Sequence, residues 1–494
     1  MGIVIRQSAL SATTSYLGVI VGFVNAIVLM PKFLTPDEIG LFRTLLGAAL
    51  LLSTFGKFGI SAALIRFKSL LEQKNIDAKA VYGLGLFINI CTTLLFLVLF
   101  FIFRDFFERF YDAKADAIHD YFWLLVILTI ELISFAFLQS LASIHMSIFV
   151  ANTLKDLIYK ILNMAGIVLL GMGWISFNTF VHSHLLLYLI LMVILYVESV
   201  VKFKIKISFN LLPTAVIKEF IRYCSVIFLS GLGMSLLTLA DQQLVSSYLG
   251  LSANAIYTTA IFMVMIIELP YRFVSEISAP ILSNAFAKKD FNEINNHYKK
   301  ASINLFLIGS LLYLLLVINL DNIFQLMPSG QFYAAGKSVV LIAGFTKLIN
   351  MLFSINDSII AISKYYKFNM ALILILGIAM IGADMLLIPE FGLLGAAYAY
   401  FAVFTVYNIL KMLLLKITSN LFPFTKKTIF AMALMATLYM LNFSFPFFIN
   451  PWLDILMRSL ILVLIFTFSI YKLKLSVEIN EILEKVFFRL TSRK

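Results

Sequence analysis

Apolar runs of about 20 residues recur along the whole of this 494-residue chain, with only short polar intervals between them. That spacing narrows the choice of fold more than any other feature. A ~30 Å hydrocarbon core takes roughly 20 helical residues to cross, and inside it every backbone N–H and C=O must be bonded within its own segment. Charged residues make up 13% of the chain, about half the ~25% of a soluble domain. Hydropathy and loop signals place fourteen spans, at roughly 9–30, 39–65, 81–103, 121–144, 147–172, 179–201, 220–247, 255–281, 300–320, 334–362, 367–388, 392–416, 427–446 and 455–472. The expected fold is an all-α polytopic membrane protein of about 14 transmembrane helices, with two six-helix lobes related by pseudo-two-fold symmetry plus two C-terminal helices.

The basic residues test this count. With the amino terminus inside, 28 of the 38 Lys and Arg fall at inner intervals and span ends, 6 fall outside and 4 lie within spans. Such a bias places both termini in the cytoplasm. It also accounts for the net charge of +12, which reads as topology and attraction to membrane lipids, with no nucleic acid. Arg6 precedes the first span without a cleavable signal pattern, so that helix is expected to be retained. Cys91 and Cys224 lie in apolar segments, and His145, His182 and His184 are dispersed, so neither a disulfide nor a metal site is expected, and no cofactor. The basic segment KFKIKISFNLLPTAV opens the best boundary, giving an N-lobe at 1–201, a cytoplasmic linker at 202–219 and a C-lobe at 220–417. Two further spans occupy 418–472. A basic tail at 473–494 sets Ile479, Ile482, Leu483, Val486, Phe487 and Leu490 on one helical face, as an interfacial helix or a frayed end. An internal repeat at an offset of 215 aligns FLTPDEIGLF (33–42) with YLGLSANAIY (248–257), which suits parallel lobes about an axis along the membrane normal.

Four cations lie inside spans: Arg43 and Lys57 in span 2, Arg272 in span 8 and Lys347 in span 10. A charge at the bilayer centre costs from about 2.5 to over 10 kcal/mol, so each needs a cavity or a partner. Arg43 and Lys57 are 14 residues apart and return to within roughly 40° of one azimuth. Arg43 sits about one turn from the outer end and can snorkel. Lys57 lies ~13 Å before Arg66, too deep for that. Arg272 has Glu268 and Glu276 four residues to either side, which fits an ion-pair set bracing Pro270 as well as a cavity cation. Lys347, Asn350, Ser354 and Asp357 make one polar stripe, either a lumen wall or an interhelix network. The acids within spans are Glu131, Glu198, Asp241, Glu268, Glu276, Asp357 and Asp384. Asn152, Lys155, Asp156, Lys160 and Asn163 cluster near the inner end of span 5, as a helix-end ion pair or a headgroup guide.

Three stretches resemble a known family. LTPDEIGLFRTLLGAALLLSTFGKFGISAALIRF (34–67), LADQQLVSSYLGLSANAIYTTA with PILSNAFAKKDFNEINNHYKKA, and MLLIPEFGLLGAAYAY (385–400) are similar to Wzx-type polysaccharide flippases of the multidrug/oligosaccharidyl-lipid/polysaccharide (MOP) superfamily. The last looks like that family's LIPxxGxxGAAxA junction, although Asp384 stands where the family often has Asn. The resemblance implies a flippase that moves undecaprenyl-pyrophosphate-linked oligosaccharide, an O-antigen or capsule repeat unit, across a bacterial inner membrane by alternating access. Glycan-assembly proteins are its implied neighbours.

Such a substrate presents a pyrophosphate and a polar glycan, so Arg43, Lys57, Arg272, Lys347, Asn350 and Asp357 are the candidate binding residues. Resemblance to the related lipid II flippases implies a cation site between spans 7, 11 and 12, which fits Asp241 and Asp384. With Glu131 these are the candidates for Na+ or H+ coupling, each with a structural role as the alternative. A MATE-like cation-coupled multidrug exporter is the nearer rival reading. A membrane-embedded glycan polymerase or ligase is more remote, since no outer interval exceeds about 17 residues.

Overall fold

The computed structural model describes residues 2–73, 79–111, 114–144, 148–202, 205, 207–210, 212–441 and 449–491. Among them there are helices and no strands, and twelve helices are long and apolar enough to cross a membrane. The other two expected spans are also helical. The first comprises Ile148–Thr153, a π-helical Leu154–Ile158 and Tyr159–Gly171, and it carries Lys155, Asp156 and Lys160. The second is helical over Lys426–Leu441, and the rest of that expected span lies outside the described residues. Also outside them lie His145, residues 203, 204, 206 and 211 of the expected linker, and the side chains of Ile482, Val486, Phe487 and Leu490 on the tail face.

The order relevant to the site is α1 (Gly2–Phe23), α2 (Pro36–Lys57), α3 (Ile60–Gln73), α4 (Lys79–Ile102), α5 (Phe122–Ile144), α6 (Tyr159–Gly171), α7 (Phe177–Tyr196), α8 (Thr214–Leu249), α9 (Leu251–Lys288), α10 (Phe291–Ile318), α11 (Lys337–Phe353), α12 (Asn356–Ile362), α13 (Tyr366–Phe391) and α14 (Leu393–Ser419). They pack as two compact units. One comprises Met1–Thr258 with Ile373–Gly392, and the other Thr259–Leu372 with Leu393–Lys494. Large apolar side chains face outward on many helices, as with Leu94, Leu386 and Leu464, because the surrounding solvent is hydrocarbon.

The motif LTPDEIG is a helix start. Thr35 and Glu38 form a reciprocal capping box, Pro36 occupies the first turn, and Asp37 and Glu38 lie at the positive end of the helix dipole. The expected single span at 39–65 is broken. Lys57 ends α2, Phe58 and Gly59 take left-handed φ of 40° and 69°, and α3 resumes at Ile60. Gly59 is required there twice, by its φ and because a Cβ would stand 2.7 Å from the Cys224 carbonyl. The interrupted ladder is repaired from α4: Thr92 Oγ1 donates to the Gly56 carbonyl at 2.8 Å and Asn89 Nδ2 at 3.5 Å. Irregular backbone at membrane depth needs such partners. Span 10 is broken likewise, α11 ending before Ser354 (φ 57°) and α12 beginning at Asn356.

The 215-residue offset reappears as contact within the first unit. Ser252 Oγ donates to Asp37 Oδ1 at 2.5 Å and Arg43 Nη1 donates to Thr258 Oγ1 at 2.8 Å, both pairs 215 residues apart. The starts of α2 and α9 therefore lie against each other at matching positions. Gly40 permits this approach, since a Cβ there would meet the Leu251 carbonyl at 1.9 Å. Gly40→Ala is expected to cost about 1–3 kcal/mol, the range for overpacking, and to lower the melting temperature of the detergent-purified protein. Gly382→Ala, at a site with nothing within 4 Å, should leave it unchanged.

Candidate functional site

In the first unit, Arg43 does not snorkel. Besides Thr258 it donates to the Ala255 carbonyl at 3.3 Å from Nη1 and to the Ala26 carbonyl at 3.3 Å from Nη2. Around it run further bonds between α2, α8 and α9: Asn254 Nδ2 donates to Thr44 Oγ1 at 2.7 Å, and the Thr44 and Ser246 hydroxyls meet at 2.7 Å; from the short helix Arg104–Tyr111, Tyr111 OH donates to Gln243 Oε1 of α8 at 2.6 Å. Arg43 is thus a cross-helix tie at the repeat contact. Lys57 differs. It is half-buried at the break between α2 and α3, has no hydrogen-bond or ion-pair partner among the described residues, and feels the charge of another cation, Lys155.

Asp241 of α8 and Asp384 of α13 lie within each other's electrostatic field. Asp241 is buried, accepting from the Tyr257 hydroxyl and from the Gln242 N–H at 2.8 Å. Asp384 is fully buried, both its carboxylate oxygens lack a hydrogen-bond partner among the described residues, and it lies within the field of Asp241. Two such carboxylates repel and are desolvated together, so a proton or a small cation between them removes both costs. The orphaned oxygens of Asp384 fit Na+ or H+. Among the described residues no group of three or more His, Cys, Asp or Glu could hold a metal ion. Glu131 is elsewhere, on α5, with a buried Oε2 lacking a partner and Tyr188 within its field; the structure does not bring it to the Asp241–Asp384 pair by any contact. The span 5 cluster serves helix packing: Ser15 Oγ donates to Asp156 Oδ2 at 3.0 Å, Asn25 Nδ2 to the Lys160 carbonyl at 2.9 Å, and His184 Nε2 lies 3.3 Å from Asn163 Oδ1.

In the second unit Lys347 and Asp357 are each paired with an opposite charge. Lys347 Nζ of α11 meets Glu268 Oε2 of α9 at 2.5 Å and stands over the rings of Tyr400 and Phe404 of α14, at 5.6 and 6.0 Å. Glu268 therefore pairs across helices. Arg272, one turn on, is exposed and makes no ion pair among the described residues, although Glu268 lies within its field, so of the two readings the intrahelical ion-pair set is not formed among them. Asp357 accepts from Lys411 Nζ at 2.8 Å and Tyr407 OH at 3.0 Å. Asn408 joins the break in span 10 from both sides, donating to Asn350 Oδ1 and accepting from Asn356 Nδ2, each at 3.2 Å. Asn350 and Asp357 thus belong to an interhelix network.

Two cations placed at span ends by the sequence are buried in this unit. Lys411, read as an inner-interval residue, is inaccessible and lies 3.6 Å from the Tyr407 ring. Arg458, read as an outer one, is buried and donates to the Ile318 carbonyl at 3.1 Å. The missed signal for Lys411 was the stripe Tyr400, Phe404, Tyr407 and Lys411 along one face of an otherwise apolar helix.

A sequence family described as polysaccharide biosynthesis protein matches residues 5–286. No curated protein matches the chain by sequence. Among solved structures, the lipid II flippase MurJ in an inward closed conformation aligns with a TM-score of 0.70 at 16% identity, covering 95% of this chain and 99% of MurJ. A multidrug resistance MATE family transporter of the MOP superfamily, inward-facing, aligns with a TM-score of 0.60 at 14% identity over 87% of this chain and 95% of its own. At these identities the likeness is one of fold alone.

Lys411→Met would leave Asp357 with an unmatched charge. Breaking a fully buried pair costs about 3–5 kcal/mol; with Asp357 still 35% exposed, a loss of about 2 kcal/mol is expected. Thermal melts of the double variant with Asp357→Asn should show most of it restored.

Proposed function

Since the chain belongs to the polysaccharide biosynthesis protein family, we propose that it is a flippase carrying undecaprenyl-pyrophosphate-linked oligosaccharide from the cytoplasmic to the periplasmic leaflet by alternating access. Lys57 carries the reading. It is a cation at a mid-span helix break with a second cation in its field and no acceptor among the described residues, so an anionic ligand is the partner it lacks. Arg43 takes a secondary place, because its guanidinium is already engaged by three oxygens. Arg272, exposed and without an ion pair among the described residues, is the matching anion contact of the second unit. Asn350 and Asp357 support the walls of the route through their networks.

Two six-helix lobes, 1–201 and 220–417, are the moving parts in this reading, with 202–219 as their linker. The contacts at an offset of 215 support that division. Asp241 and Asp384 form the coupling site for Na+ or H+, and Glu131 is a separate titratable group of the N-lobe. The protein would reside in a bacterial inner membrane with both termini cytoplasmic, beside the proteins that assemble the glycan. A cation-coupled drug exporter is the second reading, favoured by the MATE-like fold. An unpartnered Lys57 argues against a cationic cargo.

The test is reconstitution into liposomes with a defined undecaprenyl-pyrophosphate-linked oligosaccharide, reading its arrival in the opposite leaflet with and without ion gradients. A charge-assisted hydrogen bond is worth about 1.5–3 kcal/mol, so Lys57→Gln should slow arrival at least ~10-fold, and more than Arg43→Gln does. Asp241→Asn or Asp384→Asn should abolish any gradient dependence. No protein-dependent arrival across several glycans would exclude the flippase reading.

A further inference from the structure

The Lys347–Glu268 and Lys411–Asp357 ion pairs of the second unit differ in one respect that matters for ligands. The Lys411 side chain is 0% exposed, whereas those of Lys347 and Glu268 are 15% and 23% exposed. Asp357 is itself 35% exposed, so the difference lies in the cations: the Lys411 ammonium is sealed, and the Lys347 ammonium is partly accessible. Beside it stands Arg272, on the same helix as Glu268 and one turn further, exposed and without an ion pair of its own among the described residues. Of the two carboxylates one turn to either side of Arg272, Glu268 touches only Lys347, and Glu276 is exposed and makes no ion pair among the described residues. Asp357 is the other acid whose charge reaches Glu268.

We propose that Glu268 is a built-in stand-in for the anionic headgroup: it holds the Lys347 ammonium until a diphosphate displaces it and bridges Lys347 and Arg272. The argument rests on charge exchange. An ammonium at this depth cannot be left bare, and the Tyr400 and Phe404 rings compensate only part of its charge. A monoanion that displaced Glu268 would gain one ion pair and lose one, leaving a carboxylate unmatched. A diphosphate reaching both Lys347 and Arg272 gains two and loses one. Glu268 would thus act as a specificity-determining residue, rejecting monoanionic lipid headgroups and neutral lipids while admitting a diphosphate. Pro270, between Glu268 and Arg272, removes a backbone donor from α9 at this turn, which loosens the helix where the exchange occurs. This inference rests on the flippase reading for the source of the diphosphate, and on the geometry alone for the site.

The experiment titrates the full-length, detergent-purified protein with inorganic pyrophosphate and, separately, with farnesyl diphosphate, using calorimetry. Glu268→Gln is expected to bind both about tenfold more tightly than the wild type, and Glu268→Asp, which keeps the charge but withdraws it, about threefold. Arg272→Gln should abolish the gain when combined with Glu268→Gln. Equal or weaker binding in Glu268→Gln, or no measurable binding by any variant, would overturn the proposal, and Glu268→Asp decides the matter if the Gln variant does not fold. Tightening for inorganic pyrophosphate but not for farnesyl diphosphate would also overturn it, as a site for a free anion. The liposome assay separates the two readings. Wild-type translocation with unaltered diphosphate affinity in Glu268→Gln removes the stand-in and leaves the flippase; tighter diphosphate binding without translocation does the reverse.

Discussion

A charge inside hydrocarbon must find its opposite, and the second unit is arranged around that requirement. Lys347 and Lys411 each meet a carboxylate, Glu268 and Asp357, and each lies against tyrosine or phenylalanine rings. Taking both partners out of water is expensive, and their attraction repays it only when the geometry is close and the remaining lone pairs are used. Asp357 meets that condition by also accepting from Tyr407. These pairs join α9, α11, α12 and α14, so helices that hydrocarbon does not push together are held by polar bonds. The breaks in spans 2 and 10 obey the same rule, since an interrupted backbone ladder exposes carbonyls that lipid cannot serve.

The first unit handles charge differently. Arg43 is absorbed by carbonyls and a hydroxyl, Asp384 has no protein partner for either oxygen among the described residues, and Lys57 has no acceptor among them. Unbalanced groups of this kind raise the energy of the empty protein and lower that of a complex supplying what is missing.

Much of the architecture was legible in the sequence because hydrocarbon leaves few choices. Runs of about 20 apolar residues can only be helices, and the 215-residue offset pointed to positions that do meet. Where the sequence misled, a local pattern was overridden by packing. Nothing in STFGKFGIS beyond its two glycines marks a break, because the decisive contact is the Cys224 carbonyl, some 165 residues away in sequence. Glu268 has Arg272 at the ideal helical spacing and still bonds Lys347, 79 residues distant. Charge counting misplaced Lys411 and Arg458 because a long side chain near a helix end can turn inward as easily as outward. The pairing of Asp241 with Asp384 was suggested by likeness to a family; no spacing in the sequence carries it.

The contact of positions 37 and 252, and of 43 and 258, has a consequence for how two halves of a chain can resemble one another. On a two-fold axis a residue faces its own counterpart. If both halves kept arginine at the position of Arg43, two guanidinium groups would be forced together, and two aspartates at the position of Asp37 would fare no better. Residues on the axis must therefore differ between the halves, as Arg differs from Thr and Asp from Ser, while residues away from it are free to stay alike. A duplicated chain of this kind should have lost its identities first along the line where its copies touch.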